Sequence, residues 1–302
     1  VSTTIFVTCG PEQGIRARCR AIWESGDYGV LARYHEAAAA AFVDRLPLRA
    51  GDRVLDIACG TGNVAVPAAR AGCSVTGVDL APNLVTRARA RAATEGLSIG
   101  YTEGDAEALP FSDGSFDWVT SQFGIMYAAR PDRATAELLR VCRSGAGVAL
   151  SNWTAEGPVG EFLRMIDGLC PATPGGPPTL LWGDEAVVRG RLGRSVADLG
   201  LHRRVVRLRF PFTPRQTVDL LRQFCGPVAR AFATLEPSER AGLAETFENL
   251  FRRHNQARDG STELGGETLE AVGFVSGAAP AAAPAPGATG TPGSGETPAE
   301  AR

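Results

Sequence analysis

The stretch with the most evident chemistry is VLDIACGTGN, Val54–Asn63, where an apolar run carrying an acid opens into two glycines. Such a run reads as a buried strand, and glycines just past it let backbone approach a ligand closely. Asp56 lies at the strand's exit. The segment Gly60-Thr61-Gly62-Asn63-Val64-Ala65 fits the G-x-G-x-x-A spacing of dinucleotide-binding turns, and Asp79 follows Gly62 by about 17 residues, near the expected position of a ribose acid. On this spacing alone a nicotinamide-dependent oxidoreductase stays open. A second acidic turn, GDAEALPF at Gly104–Phe111 after the third strand, adds Asp105 and Glu107 and, with Asp56 at the first strand's exit, weighs against that reading.

These acids need elements to bring them together. Strand candidates are Arg53–Ala58, Ser74–Leu80, Ser98–Gly104, Phe116–Gln122 and Gly147–Thr154; helix candidates between them are Asn63–Ala71, Pro82–Glu95 and Pro131–Arg143. Pro82 and Pro131 stand where proline is tolerated, at the first helical position. Strands alternating with helices imply parallel pairing and right-handed crossovers, hence an open doubly wound α/β sheet with its ligand beyond the strands' carboxyl ends. Ahead of this unit, Ile15–Gly26 reads as a short amphipathic helix, and apolar spacing predicts one helix from an Asp27 N-cap to Leu46. Behind it come helices around EFLRMIDGL, over Asp184–Leu199, Pro214–Phe224 and Pro237–Arg253, with strands at Leu201–Phe212 and Gly266–Val275.

Composition narrows the function class. The 302 residues carry 31 basic and 33 acidic groups, a net charge of −2, which leaves no basic surplus for coating nucleic acid. There is no lysine, so Schiff-base chemistry on lysine is excluded. No apolar run approaches the ~18 residues of a membrane span, and the first ten residues carry no basic segment of the secretory kind. The cysteines at 9, 19, 59, 73, 142, 170 and 225 form no C-x-x-C pair, which argues against a zinc site or a disulfide framework and suits a cytoplasmic protein. The Ala/Pro/Gly-rich residues 277–302 offer nothing to bury and are expected to be a disordered tail.

Taken in order, Asp56–Asn63 (D-x-x-C-G-T-G-N), the acid of V-T-G-V-D-L at Asp79, Gly104–Phe111, F-D-x-V-x-S at Phe116–Ser121 and A-E-L-L-R-V-C-R at Ala136–Arg143 resemble the class I S-adenosylmethionine-dependent methyltransferases. The likeness is to the small-molecule branch, similar to quinone-biosynthesis and natural-product enzymes, and is strong from Asp27 to Thr154. It implies a mainly parallel seven-stranded Rossmann-like sheet, with residues 1–50 as an N-terminal helical lid and 51–156 as the cofactor-binding core. Residues 157–276 would then supply an inserted helical cap and the closing strands. Arg143–Gly147 (R-S-G-A-G) departs from the family's R-P-G-G turn, at the end away from the cofactor.

The resemblance implies S-adenosyl-L-methionine as cofactor and assigns residues to it. Ala58, Gly60 and Gly62 would let the loop lie against its methionine part, with Asp56 organising that loop and helping to hold the amino group. Asp79 would accept both ribose hydroxyls, Leu80 would pack on the base, Asp105 would face the adenine amino group, and Ala106 would offer its N–H with Glu107 close by. Ser121, Gln122 and Phe123 would close the pocket.

Methyl transfer to O, N or C of a small organic acceptor, such as a secondary metabolite, needs alignment in a dry pocket and no metal. His35, in the region resembling the lid, is the candidate catalytic group. His202 and His254 stand beside arginines and read as solvated basic edges. Trp23, Tyr28, Tyr34, Met126 and Tyr127 are the candidate substrate contacts. The segments Gly157–Gly160, Thr179–Glu185 and Gln223–Pro227 are candidates for the cap. An NAD(P)-dependent oxidoreductase and a non-catalytic cofactor-binding protein are the alternatives.

Overall fold

The computed structural model describes residues 11–169 and 177–276. The expected tail at 277–302, Cys9, Cys170 and the first ten residues lie outside them. The chain opens with α1 (Pro11–Glu24), α2 (Tyr28–Ala32), a 3-10 turn at Arg33–His35 and α3 (Glu36–Asp44). The single helix expected from Asp27 is therefore broken at His35. Asp27 makes no side-chain cap; its carboxylate pairs with Arg87 instead.

The core follows as β1 (Arg53–Ile57), α4 (Ala65–Arg70), β2 (Ser74–Asp79), α5 (Pro82–Thr94), β3 (Gly100–Glu103), β4 (Phe116–Gln122), a 3-10 turn at Ile125–Tyr127, α6 (Pro131–Val141) and β5 (Cys142–Trp153). The rest comprises α7 (Gly157–Leu169), a 3-10 turn at Thr179–Gly183, α8 (Glu185–Leu192), β6 (Val196–Phe210), α9 (Pro214–Phe224), α10 (Gly226–Ala233), α11 (Pro237–His254) and β7 (Thr262–Val275). The strands form one seven-stranded sheet ordered β3-β2-β1-β4-β5-β7-β6, in which β7 alone runs antiparallel to its neighbours. This is the expected α/β architecture, a mainly parallel Rossmann-like sheet.

Burial explains why the central strands were readable. Val54 to Ile57 are all buried, as a strand covered by helices on both faces must be. One apolar cluster joins the sheet to α6 and α8, and a second joins its other face to α3, α4 and α5. A third, built on Phe162, Phe232, Phe247 and Phe251, holds α7, α9, α10 and α11 together. The order reverses between β1 and β4, since β1 pairs with β2 on one side and β4 on the other. That switch point opens a crevice at the carboxyl ends of the strands.

The expected boundaries fail where pairing, not local pattern, sets the length. The helix expected over Asp184–Leu199 stops at Leu192, because β6 starts at Val196 to match Val275 across the ladder. Likewise β7 starts at Thr262 rather than Gly266, opposite Phe210. The helix α10 was not expected. Its signal was Pro227 in the first turn of an Ala- and Val-containing run.

Candidate active site

A cleft of about 1220 Å³, counted out to its open mouth, lies over the ends of β1, β2, β3 and β4. Its floor is the loop after β1. Gly60 and Gly62 have φ of +53° and +81°, and Ala58 adopts +54°, so the loop is wound in the left-handed region that glycine enters freely. Gly62 lies beneath the surface: a Cβ there would stand 2.3 Å from the Tyr101 hydroxyl oxygen. Phe123, also left-handed at +57°, follows β4 and precedes Gly124, where a Cβ would meet that of Ala58 at 2.5 Å. The two loops therefore touch and form a continuous wall.

Two carboxylates are buried under this wall. Asp56 accepts from the Ala65 N–H at 3.1 Å, and Asp79 accepts from Gly60 N–H at 2.8 Å and Ala81 N–H at 2.9 Å. Burial pushes the Asp56 carboxyl up to about 8, with the nearby Asp79 adding to the rise; burial also raises Asp79 against the pull of its backbone donors. Among the described residues no cationic side chain forms an ion pair with either acid. The third acid, Asp105, accepts from the Glu107 N–H at 2.9 Å and faces Arg16 of α1 at 3.6 Å. The Glu107 carboxylate is taken up by Arg130, receiving its backbone N–H at 2.7 Å and its Nε at 2.6 Å. It anchors the loop after β4 rather than pointing at a base.

The mouth of the cleft is aromatic. Trp23 of α1 meets Tyr127 and Tyr28 edge-on, at 4.8 and 5.5 Å between ring centroids. Burial pushes both tyrosine hydroxyls up, so they stay protonated. Phe123 lies flat on Trp153, 4.2 Å away with 5° between the planes. His35 sits among these rings, 5.8 Å from Phe123, 6.2 Å from Trp153 and 6.3 Å from Tyr28. Its Nδ1 is 3.3 Å from the Leu31 carbonyl, which can only accept, so Nδ1 carries the proton and Nε2 keeps a lone pair. Burial holds the imidazole down at about 4, hence neutral at pH 7.

Of the sequence candidates, Trp23, Tyr28, His35, Asp56, Ala58, Gly60, Asp79, Leu80, Asp105, Ala106, Glu107, Gln122, Phe123 and Tyr127 line this one cleft. Four do not. Gly62 lies behind the loop, and the Ser121 hydroxyl is sealed in the sheet, donating to the Ile57 carbonyl at 2.7 Å and accepting from Ile125 N–H at 3.0 Å. Met126 is 3% exposed in the core, because successive residues of a 3-10 turn point about 120° apart and Tyr127 takes the inward direction. Tyr34 is turned away by the same geometry and packs on Phe210 at 4.7 Å.

His202 is exposed on β6, whereas His254 is not a solvated edge: it lies half-buried 3.5 Å from Glu161. Of the cap candidates, Gln223–Pro227 reaches α1, since a Cβ on Gly226 would lie 1.9 Å from the Ile22 carbonyl oxygen. Arg16, Arg130 and Asn63 line the cleft and were missed as site residues. Asn63 stood inside the glycine motif, but its side-chain partners are distant in sequence.

The methyltransferase-domain family model matches residues 54–145, the span from β1 to β5 that builds this cleft. The chain belongs to the class I S-adenosylmethionine-dependent methyltransferases. An uncharacterised protein of Mycobacterium tuberculosis (strain ATCC 25618 / H37Rv) is 40% identical over 237 residues, covering 78% of this chain and 86% of its own. The demethylmenaquinone methyltransferase of Thermus thermophilus is 38% identical over 122 residues, 40% of this chain and 55% of its own. The YcgJ protein of Bacillus subtilis shares the methyltransferase fold, with a TM-score of 0.54 at 20% identity over 80% of this chain and 99% of its own. Among the described residues no helix is long and apolar enough to cross a membrane.

Proposed function

We propose that this methyltransferase binds S-adenosylmethionine over the β1 to β4 loops and methylates a small, uncharged organic acceptor under the lid. The observation that carries the reading is the pair of buried acids, Asp56 and Asp79, without a cationic partner among the described residues. Buried carboxylates are costly unless paired, and the cofactor brings both an ammonium group and two vicinal hydroxyl donors. The residues therefore fit it. Bound there, S-adenosylmethionine supplies an electrophilic methyl group for in-line displacement.

In this reading Asp56 holds the amino group, directly or through water, and keeps the loop wound through Ala65. Asp79 already accepts one backbone N–H on each oxygen and uses its remaining lone pairs for the ribose hydroxyls. Leu80 packs on the base, Asp105 faces the adenine amino group and Ala106 offers its N–H. Ala58, Gly60, Gln122 and Phe123 shape the wall, with Ser121 and Gly62 supporting it from behind. Residues 1–50 act as the lid, 51–156 as the cofactor core and 157–276 as cap and closing strands.

The acceptor half favours a neutral molecule. Arg16 is offset by Asp105 and Arg130 by Glu107, while His35, Tyr28 and Tyr127 are uncharged. Among the described residues an anion finds no free cation there, and a cation would stand beside the sulfonium. His35 Nε2 accepts a hydrogen bond from the acceptor, and Trp23, Tyr28 and Tyr127 exclude water around it. A weak base of this kind suits an already acidic hydroxyl or a carbon nucleophile better than a simple alcohol. The name of the Thermus thermophilus relative agrees with a small organic acceptor. A cytoplasmic location and the absence of a nucleic acid partner belong to the same proposal. Incubating the protein with isotopically labelled cofactor and a metabolite extract tests it: label in a neutral small molecule supports it, and label only in macromolecules contradicts it.

A further inference from the structure

His35 stands on a turn whose tightness has a visible cause. In a continuous α-helix the Ala32 carbonyl would accept from the Glu36 N–H, four residues on. Here the Glu36 N–H bonds to Arg33 instead, and the Ala32 carbonyl accepts from Asn63 Nδ2 at 2.8 Å. Asn63 follows Gly62 directly, on the loop that floors the cleft. Its Oδ1 accepts from Arg91 Nη1 at 2.7 Å, and Arg91 lies 3.5 Å from Glu36. Ala32 and Glu36 bracket the His35 turn, so one side-chain relay from the glycine loop and α5 holds both its ends. Unwinding the three residues back to α-helical geometry would rotate His35 by about 60° relative to α2.

We propose that Asn63 is a positioning residue for His35: by diverting the Ala32 carbonyl it holds the tightened turn that aims the imidazole into the cleft, and it ties that aim to the cofactor-side loop. The inference rests on the cleft being the donor and acceptor site. Asn63→Ala removes the whole relay. Asn63→Asp keeps an acceptor for Arg91 and loses the donor to Ala32, so the two variants isolate the Ala32 contact.

The test is side-chain NMR of the full ¹⁵N-labelled protein, with the His35 signal assigned by its loss in His35→Gln, beside calorimetric titration with S-adenosylhomocysteine. The rings facing His35 are Phe123, Trp153 and Tyr28, and the only titratable one, Tyr28, stays protonated in this range. The wild type is expected to show a neutral Nδ1–H tautomer titrating at about 4. In both variants the midpoint should rise by about one pH unit or more toward the free-histidine value and the tautomer preference should weaken, while the backbone amide signals of β1 and β2 keep their wild-type positions.

An unchanged His35 midpoint and tautomer in either variant overturns the assignment. So does loss of folding in both, which makes Asn63 a support of the loop alone. Absence of S-adenosylhomocysteine binding to the wild type sinks the broader reading of the cleft instead.

Discussion

Asp56 and Asp79 are the residues on which the cofactor reading turns, and each makes a separate prediction. Asp79→Ala removes the acceptor of the Gly60 and Ala81 N–H groups and the proposed ribose contact together. Loss of these hydrogen bonds to a charged group should cost about 1–3 kcal/mol of S-adenosylhomocysteine affinity, roughly five- to 150-fold by calorimetry. Asp56, pushed up to about 8, is mostly protonated at pH 7 before binding. An ammonium group beside it favours the ionised form, so binding should release a proton, and affinity should rise with pH from 6 toward 8. Titrations in buffers of different ionisation enthalpy would reveal that proton, and a buffer-independent heat would remove Asp56 from the amino-group role. Both acids were legible in sequence because a strand, a turn and an acid recur at fixed spacing. The direction of Tyr34 and Met126 was not legible, since a 3-10 turn replaces helical periodicity there.

At the level of elements, α1 is seated by close backbone approach. Gly226 opens α10 within 1.9 Å, measured from a would-be Cβ, of the Ile22 carbonyl oxygen, and a Cβ on Gly26 would lie 2.5 Å from that of Phe224. Ion pairs Arg16–Asp105 and Arg20–Glu103 fasten α1 to the other side of the cleft. Both are at least partly exposed, so each adds little. Gly226→Ala should therefore lift α1, destabilising the protein by about 1–3 kcal/mol and speeding amide exchange in α1 well beyond that in β1. Uniform exchange behaviour in both elements would show that this contact does not seat α1. The parallel core was readable from its alternation of apolar runs and capped helices. The seating of α1, the start of β6 and the extra helix α10 were not, because they depend on partners far along the chain.

For the whole molecule, buried titratable groups set opposite pH slopes. Asp56 in the folded chain titrates at about 8, above its ordinary 3.8, so the folded state holds the extra proton and stability falls as pH rises through that window. Asp79 acts in the same direction. His35 titrates at about 4, below its ordinary 6.5, so its contribution is present above 6.5 and lost as pH falls toward 4. Between 4 and 6.5 the histidine opposes Asp56, and from 6.5 to 8 Asp56 acts without it. The ligand-free protein should thus lose melting temperature from pH 6.5 to 8, and His35→Gln should fall more steeply than wild type between 4 and 6.5. Thermal scans across this range check both slopes. The near-neutral net charge of −2 conceals this local imbalance, which arises only when folding puts Asp56 and Asp79 under one loop. The most direct measurement of the central claim is calorimetric titration of the whole chain with S-adenosylhomocysteine and, separately, with NAD. Saturable S-adenosylhomocysteine binding on the order of micromolar, with no heat from NAD, is the predicted result. Binding of NAD without binding of S-adenosylhomocysteine would contradict it.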